Sequence, residues 1–334
     1  MPQTPNQQVK RQNLDRVRAL LLRLGVATKA RLARESGLSV VTLGGLMAEL
    51  CARGEAAEDA LIPSDGGRPA RAYRYNADYA HALSLCVLQR NGEEALYASV
   101  ENLLGETVRA EALPLKRPAP GALLEAAARF SERDPLIASA GVGIPGQAVN
   151  GRVLFCDLPE LAGVALQALM EERLGCPVTV ENDMNAAAYG YACRARPRAD
   201  ECTVGIWFPV GKAPGAGILL GSRLLRGQNG MAGELGCLPL EVDWANPPEP
   251  FERVICDCLR AVTAVLAPER VIVYREGLCR GELLAWMERT WGGMPARPQI
   301  VTDESLAPDY ELGVRRLALA RLLPRTEADE HGGV

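Results

Sequence analysis

Asp183 follows Asn182 at the end of the apolar run PVTV (Pro177–Val180), and an alanine-rich stretch, MNAAAYG, comes directly after. A carboxylate beside a carboxamide at the carboxyl end of a buried strand suits a polyol: Asp183 accepts from one hydroxyl, and Asn182 donates to and accepts from its neighbour. The same carboxylate is placed to act as general base on a sugar hydroxyl. A plainer role stays open, because Asn is a good helix cap and Asp a favourable first-turn charge. Glu234, flanked by glycines in AGELG (Ala232–Gly236), is the third candidate. A carboxylate in so glycine-rich a turn is expected to be partly exposed and to face something.

The elements that must hold these groups read as an α/β body from about His81 onward. LSLCVL, ALYASV and TVRAEALPL read as strands, GALLEAAARFSER as a helix, and IASAGVGIPG as a strand ending in a glycine-rich turn. Helix and strand then alternate through PVTV, ECTVGIWF, GAGILL and RVIVY, so two lobes around a cleft are expected. At 334 residues, 48% hydrophobic and 23% charged, the chain supports two or three cores of ordinary globular composition. The N-terminal MPQTPNQQVKRQN has no apolar signal core, and no run reaches the roughly 18 apolar residues of a membrane span, so a cytoplasmic location is expected. The ten cysteines are scattered, mostly in apolar surroundings, and read as reduced, buried thiols.

Charge divides the chain. Residues 1–75 hold 12 Lys+Arg against 7 Asp+Glu, or +5, and the remainder holds 25 against 34, or −9. A basic head on an acidic body points to a polyanionic partner for the head alone. Within the head, Asn13 is expected to cap LDRVRALLLRL, ending at Gly25; Thr28 caps KARLARES, ending at Gly37; Ser39 opens VVTLGGLMAELCAR, ending at Gly54. The turn Glu35–Ser39 has the length and central glycine of a helix-turn-helix, and AAEDALIPSDGGRPARAYRYN supplies two strands joined by Ser-Asp-Gly-Gly, the pattern of a wing. The second helix of that pair offers Ser39 and Thr42 but no Arg, Lys, Asn or Gln before Arg53, so strong bidentate base readout is not expected from it. DNA affinity is expected to come from Lys10, Arg11, Arg16, Lys29, Arg31 and Arg34 on phosphates, with Arg68 and Arg71 of the wing reaching a minor groove.

Taken in order, the GLS turn, GGRP (Gly66–Pro69), GVGIPG (Gly141–Gly146), VENDMNAAAYG, GKAPGAGILL (Gly211–Leu220) and RGQNGMAGELG (Arg226–Gly236) resemble the ROK family of repressors and sugar kinases, from about Gln7 to Leu323. The resemblance implies an N-terminal winged helix-turn-helix, residues 1–76, followed by an actin-like (ribonuclease-H-like) two-lobed α/β domain, residues 77–323, with 324–334 as a flexible tail. It also implies that Asn182 and Asp183 contact sugar, with Asp183 at the catalytic-base position of the kinases, and that Glu234 is the glutamate of the GExGH motif.

The departures from the family pattern matter as much. Cys237 stands where the motif has histidine, and LPLEVDWANPPEPFERV runs where the family has a cysteine-rich zinc loop. Cys256 and Cys258 lie in a helical run with no histidine nearby and read as core residues, so no metal is expected. The DxGxT motif that would receive ATP is replaced by the turn Leu88–Glu94, whose two glutamates would repel a triphosphate. In the second phosphate loop Gly211, Gly215 and Gly217 remain as turn formers, interrupted by Ala213 and Pro214. VIVYREG (Val271–Gly277) replaces a double-glycine adenosine contact. The resulting expectation is a DNA-binding transcriptional regulator, a repressor, acting as a homodimer or higher homo-oligomer, with a degenerate kinase-like body that binds a sugar effector and no cofactor. The alternative is an ATP-dependent sugar kinase using Asp183 as general base.

Overall fold

The structure, a computed structural model, describes residues 4–64, 67–90, 93–115, 119–295 and 297–324. The expected tail beyond Pro324, the wing-turn residues Asp65 and Gly66, and Asn91 and Gly92 lie outside the described residues.

The head begins with α1 (Pro5–Leu24), followed by β1 (Val26–Thr28), α2 (Lys29–Ser36), α3 (Val40–Ala52), β2 (Ala56–Ser64) and β3 (Gly67–Tyr75). Helix α1 starts well before Asn13: Pro5 sits in its first turn, the Thr4 backbone N–H donates to Gln7 Oε1 at 2.9 Å, and residues 6–13 contain neither Gly nor Pro to stop it. The other caps agree with the sequence. Thr28 Oγ1 accepts from Arg31 N–H, Ser39 Oγ accepts from Thr42 N–H, and Gly37 takes the left-handed conformation that ends α2. Strands β2 and β3 pair antiparallel, and the short β1, unforeseen in the sequence, adds to β3 with Val26 opposite Arg74. Leu14, Val17, Leu21, Leu32, Leu43, Met47 and Leu50 form the core beneath, with Tyr73 of the hairpin packed on it.

A buried ion pair ties α1 to the hairpin. Glu55, 2% exposed, receives two hydrogen bonds from the Arg18 guanidinium, which also donates to Asp15 at 2.8 Å. Glu55→Gln is expected to lower stability by about 2 kcal/mol, because one arm of a charge-assisted bidentate pair is lost in a poorly solvated position. A urea titration followed by circular dichroism checks it.

The body opens with β4 (His81–Arg90), β5 (Glu93–Glu101), β6 (Thr107–Pro114), α4 (Pro120–Arg133), β7 (Ile137–Ile144), β8 (Gly146–Val149), β9 (Arg152–Cys156), α5 (Leu166–Leu174), β10 (Val178–Asn182) and α6 (Asp183–Ala195). These build a mixed sheet of order β10-β7-β4-β5-β6, with β10, β7 and β4 parallel and the β4-β5-β6 meander antiparallel. The second lobe holds β11 (Cys202–Trp207), β12 (Gly215–Leu220), β13 (Arg223–Leu224), α7 (Phe251–Leu266), β14 (Arg270–Tyr274), α8 (Arg280–Thr290) and β15 (Gln299–Asp303), after which α9 (Ala307–Leu319) returns to the first sheet. Its sheet, order β13-β12-β11-β14-β15, has the same mixture of parallel and antiparallel pairs.

Helices α6 and α9 lie between the two sheets. α6 packs on β11 and β12, α9 packs on β4 and β7, and the two helices pack on each other. Their close approach depends on glycines: a Cβ at Gly190 would overlap the Asp309 carbonyl, and one at Gly313 the Ala186 carbonyl. Beside this crossing the buried Asp309 carboxylate accepts from Arg194 Nη2 at 2.9 and 3.0 Å and from the Tyr274 hydroxyl at 2.9 Å. One carboxylate thus joins α6, α9 and strand β14.

Cys256 and Cys258 are buried on α7, where burial pushes the Cys258 thiol up to about 12. The expectation of buried thiols is corrected at Cys237 and Cys279, which are exposed: Cys237 ends a short 3-10 turn and Cys279 is the N-cap of α8. No described helix is long and apolar enough to cross a membrane.

Candidate functional site

Strand β10 passes directly into α6, so Asn182 is the N-cap and Asp183 the first helical residue. Asn182 is held in place by three hydrogen bonds: its Oδ1 accepts from Asn185 N–H at 3.0 Å, and its Nδ2 donates to the Gly146 carbonyl at 3.0 Å and to Asp183 Oδ1 at 2.9 Å. Asp183 is 7% exposed. Its Oδ1 also accepts from Met184 N–H at 2.8 Å, and its held partners are all neutral amides. Burial foremost, and then the charges of Asp157 and Glu234, push its carboxyl up to about 7.

The second lobe closes over this strand end through three polar contacts. Lys212 Nζ, in the loop before β12, donates to Asp157 Oδ2 at 2.7 Å. Arg226, after β13, donates from Nη2 to Glu181 Oε2 at 2.7 Å. Gln147 Nε2 of β8 donates to Glu234 Oε1. Glu234 is half-buried as its glycine flanks suggested, and Gly233 has a positive φ that the turn requires. Gln147, Asp157, Glu181, Lys212 and Arg226 are the members of this cleft that the sequence reading passed over. Gln147 directly follows GIPG, Glu181 sits inside VEND, and Arg226 opens the segment that ends in Glu234. For all but Asp157, a position inside or beside such a motif is the available signal.

Several glycines of the body serve packing rather than turning. Gly215 and Gly217 lie within β12 rather than in a phosphate loop, and a Cβ at Gly217 would overlap the Met184 carbonyl of α6. Gly143 of β7 leaves room for the fully buried Tyr310 ring, which its Cβ would strike. Of the three glycines expected in the phosphate loop, Gly211 alone has the positive φ of a turn former. Among the described residues no group of three or more His, Cys, Asp or Glu is placed to hold a metal ion.

In the head, Arg31 and Arg34 of α2 and Ser39 and Thr42 at the start of α3 are exposed around one turn. Ser39 Oγ and Thr42 Oγ1 lie 2.9 Å apart. Beside them stand two exposed residues not singled out from sequence, Val40 and the 87% exposed Val41. Arg31 pairs with Glu35, Lys10 of α1 with Glu49 of α3, and Arg71 with Glu58 across the hairpin. Lys29 lies over the Tyr73 ring at 5.1 Å. Arg11 and Arg16 line a wide groove of about 1510 Å³ between α1 and the body, and Arg16 donates to the Ser36 carbonyl. Arg68 lies on β3, with its side chain outside the described ones.

The ROK family model matches residues 91–261, half of the chain. A xylose repressor of Caldicellulosiruptor bescii is 23% identical over 244 residues, covering 70% of this chain and 57% of the repressor. An N-acetyl-D-glucosamine kinase of Vibrio cholerae is 33% identical over 123 residues, covering 36% of this chain and 40% of the kinase. The chain therefore spans only about half the length of these relatives. Among solved structures, a ROK family transcriptional regulator described as a homolog of the E. coli MLC protein superposes with a TM-score of 0.68 at 17% identity, covering 94% of this chain and 98% of that one. A ROK family glucokinase from Streptomyces griseus in complex with glucose and AMPPNP gives 0.54 at 17% identity, covering 72% of this chain and 99% of the other.

Proposed function

The chain belongs to the ROK family, and from that premise we propose that it is a DNA-binding transcriptional regulator, a cytoplasmic repressor whose kinase-like body senses a sugar. The observation that carries this reading is the head: three helices closed by an antiparallel hairpin, with the polar and cationic turn between α2 and α3 left facing solvent. We read residues 1–76 as a winged helix-turn-helix and 77–323 as the sensor. In this reading Arg31 and Arg34 meet phosphates while the start of α3 enters the major groove. A homodimer presents two heads to paired half-sites.

The sensor works by population shift: a ligand bound between the lobes favours one lobe arrangement and with it one spacing of the two heads. Asp183 and Glu234 are the recognition groups, and Asn182 acts through them by fixing the Asp183 carboxylate. The full-length likeness to a regulator and the 70% coverage by a xylose repressor support this reading. Selection of bound DNA from a random pool at two salt concentrations, repeated with a sugar mixture, tests it. No enriched sequence at either salt would sink the repressor. With the selected site in hand, Arg34→Ala is expected to weaken binding uniformly across sequences and to lower the slope of log K against log salt by about one.

A second reading, a sugar kinase with Asp183 as base, is favoured by one observation: a buried carboxyl held near 7 has the proton affinity a general base needs. The N-acetyl-D-glucosamine kinase relatives belong with it. ADP release in the presence of ATP and a hexose panel separates the two, and sustained turnover would replace the non-enzymatic reading.

A further inference from the structure

Among the described residues, the cleft between the lobes holds several acceptors that no cation answers. Of its two basic side chains, Lys212 is taken by Asp157 and Arg226 by Glu181. The other two carboxylates are held by neutral groups, Asp183 by Asn182 and backbone, Glu234 by Gln147. An independent sign of a missing donor comes from Gln147. It is 3% exposed, and while its Nε2 is engaged by Glu234, its Oε1 is buried and meets no donor. A buried acceptor without a donor is costly, so an occupant that supplies hydrogen-bond donors is favoured here.

Charge then narrows the occupant's class. Among the described residues of the cleft, Asp157, Glu181, Asp183 and Glu234 outnumber Lys212 and Arg226 by two, and Asp157 and Glu234 already act on Asp183. A phosphate or carboxylate on the ligand would add a further negative charge to this set, whereas an ammonium would answer one. Resting on the sugar-sensing reading above, we propose that the effector is a cationic amino sugar bearing a free ammonium, with Glu234 as its counter-ion and Gln147 Oε1 as a second acceptor. The ammonium donates to Glu234 and to Gln147 Oε1, while Gln147 Nε2 keeps its hydrogen bond to Glu234. Asp183 remains for a ring hydroxyl.

Calorimetric titration of the full chain at pH 7 tests this. The probes are D-glucosamine, D-galactosamine and D-mannosamine, each beside its parent hexose, its N-acetyl derivative and the hexose 6-phosphate. At least one hexosamine is expected to bind about tenfold tighter than both its hexose and its N-acetyl derivative, and the 6-phosphate weakest of the four. Glu234→Gln is expected to weaken that hexosamine about tenfold more than its hexose, bringing the two to within about twofold of each other. A hexose, N-acetyl hexosamine or sugar phosphate that binds as tightly as the hexosamine overturns the ammonium assignment and leaves the sugar sensor standing. Absence of binding by every sugar overturns both. If Glu234→Gln keeps the hexosamine preference, or loses hexose and hexosamine equally, Glu234 is not the counter-ion.

Discussion

Asp183→Asn is expected to be more stable than the parent protein at pH 8, by about 3 kcal/mol, and to lose its response to the effector. The Asp183 carboxyl rises from 3.8 to about 7 in the folded protein, chiefly through burial. Below pH 4 both folded and unfolded chains carry the proton, and the group leaves stability unchanged. Between pH 4 and 7 the unfolded chain releases it while the folded chain keeps it, so stability falls as pH rises; above 7 both are ionised and the penalty is constant. About three units correspond to roughly 4 kcal/mol, from which the amide's added, poorly partnered N–H removes about 1. Asparagine keeps the acceptor that Asn182 Nδ2 and Met184 N–H use, so the local hydrogen bonds survive. Urea unfolding of both proteins from pH 4 to 8 reads the difference directly. Superimposable pH profiles would show that Asp183 is not held protonated. A variant that is more stable and unresponsive marks a residue kept for function against stability.

Gly313→Ala is expected to destabilise the body by about 3 kcal/mol or more and to loosen the two lobes together. The added methyl has nowhere to go: it would overlap the Ala186 carbonyl of α6, a backbone group that cannot rotate away. Relief requires α9 to move off α6, which would strain the Asp309 contacts to Arg194 and Tyr274 and open the packing of Tyr310 and Val314 against Met184 and Ala187. Gly121→Ala is the control. It lies in the first turn of α4 with open space around its Cβ, and is expected to be neutral or stabilising by up to about 1 kcal/mol. Thermal melts of the two variants should separate by roughly 6 to 12 °C for a body of this size. Equal melting temperatures would show that the helix crossing tolerates a wider separation.

Most of the element order was readable from local pattern. The strands from LSLCVL to RVIVY and the caps at Thr28 and Ser39 follow from alternation, periodicity and short-range hydrogen bonding, all of which act within a few residues. The start of α1 was missed because Asn13 is as good a cap as Thr4, and only the chain upstream of it, free of breakers, decides between them. At the site, Asp183 and Glu234 were legible as polar groups in motifs, whereas the bond from Asn182 to the Gly146 carbonyl depends on the pairing of distant strands.

The sequence by itself determined that this protein has a basic helical head and an acidic α/β body, because composition and periodicity are properties of the chain before it folds. Tertiary structure alone decided which polar groups meet. Gln147 and Glu234 are 87 residues apart, Lys212 and Asp157 are 55 apart, and Arg194 and Asp309 are 115 apart. Such pairings depend on where two sheets come to rest across α6 and α9, and that distance is set by glycines whose role is to lack a side chain. The same closure buries Asp183, and burial, rather than its place in the sequence, is what raises its proton affinity.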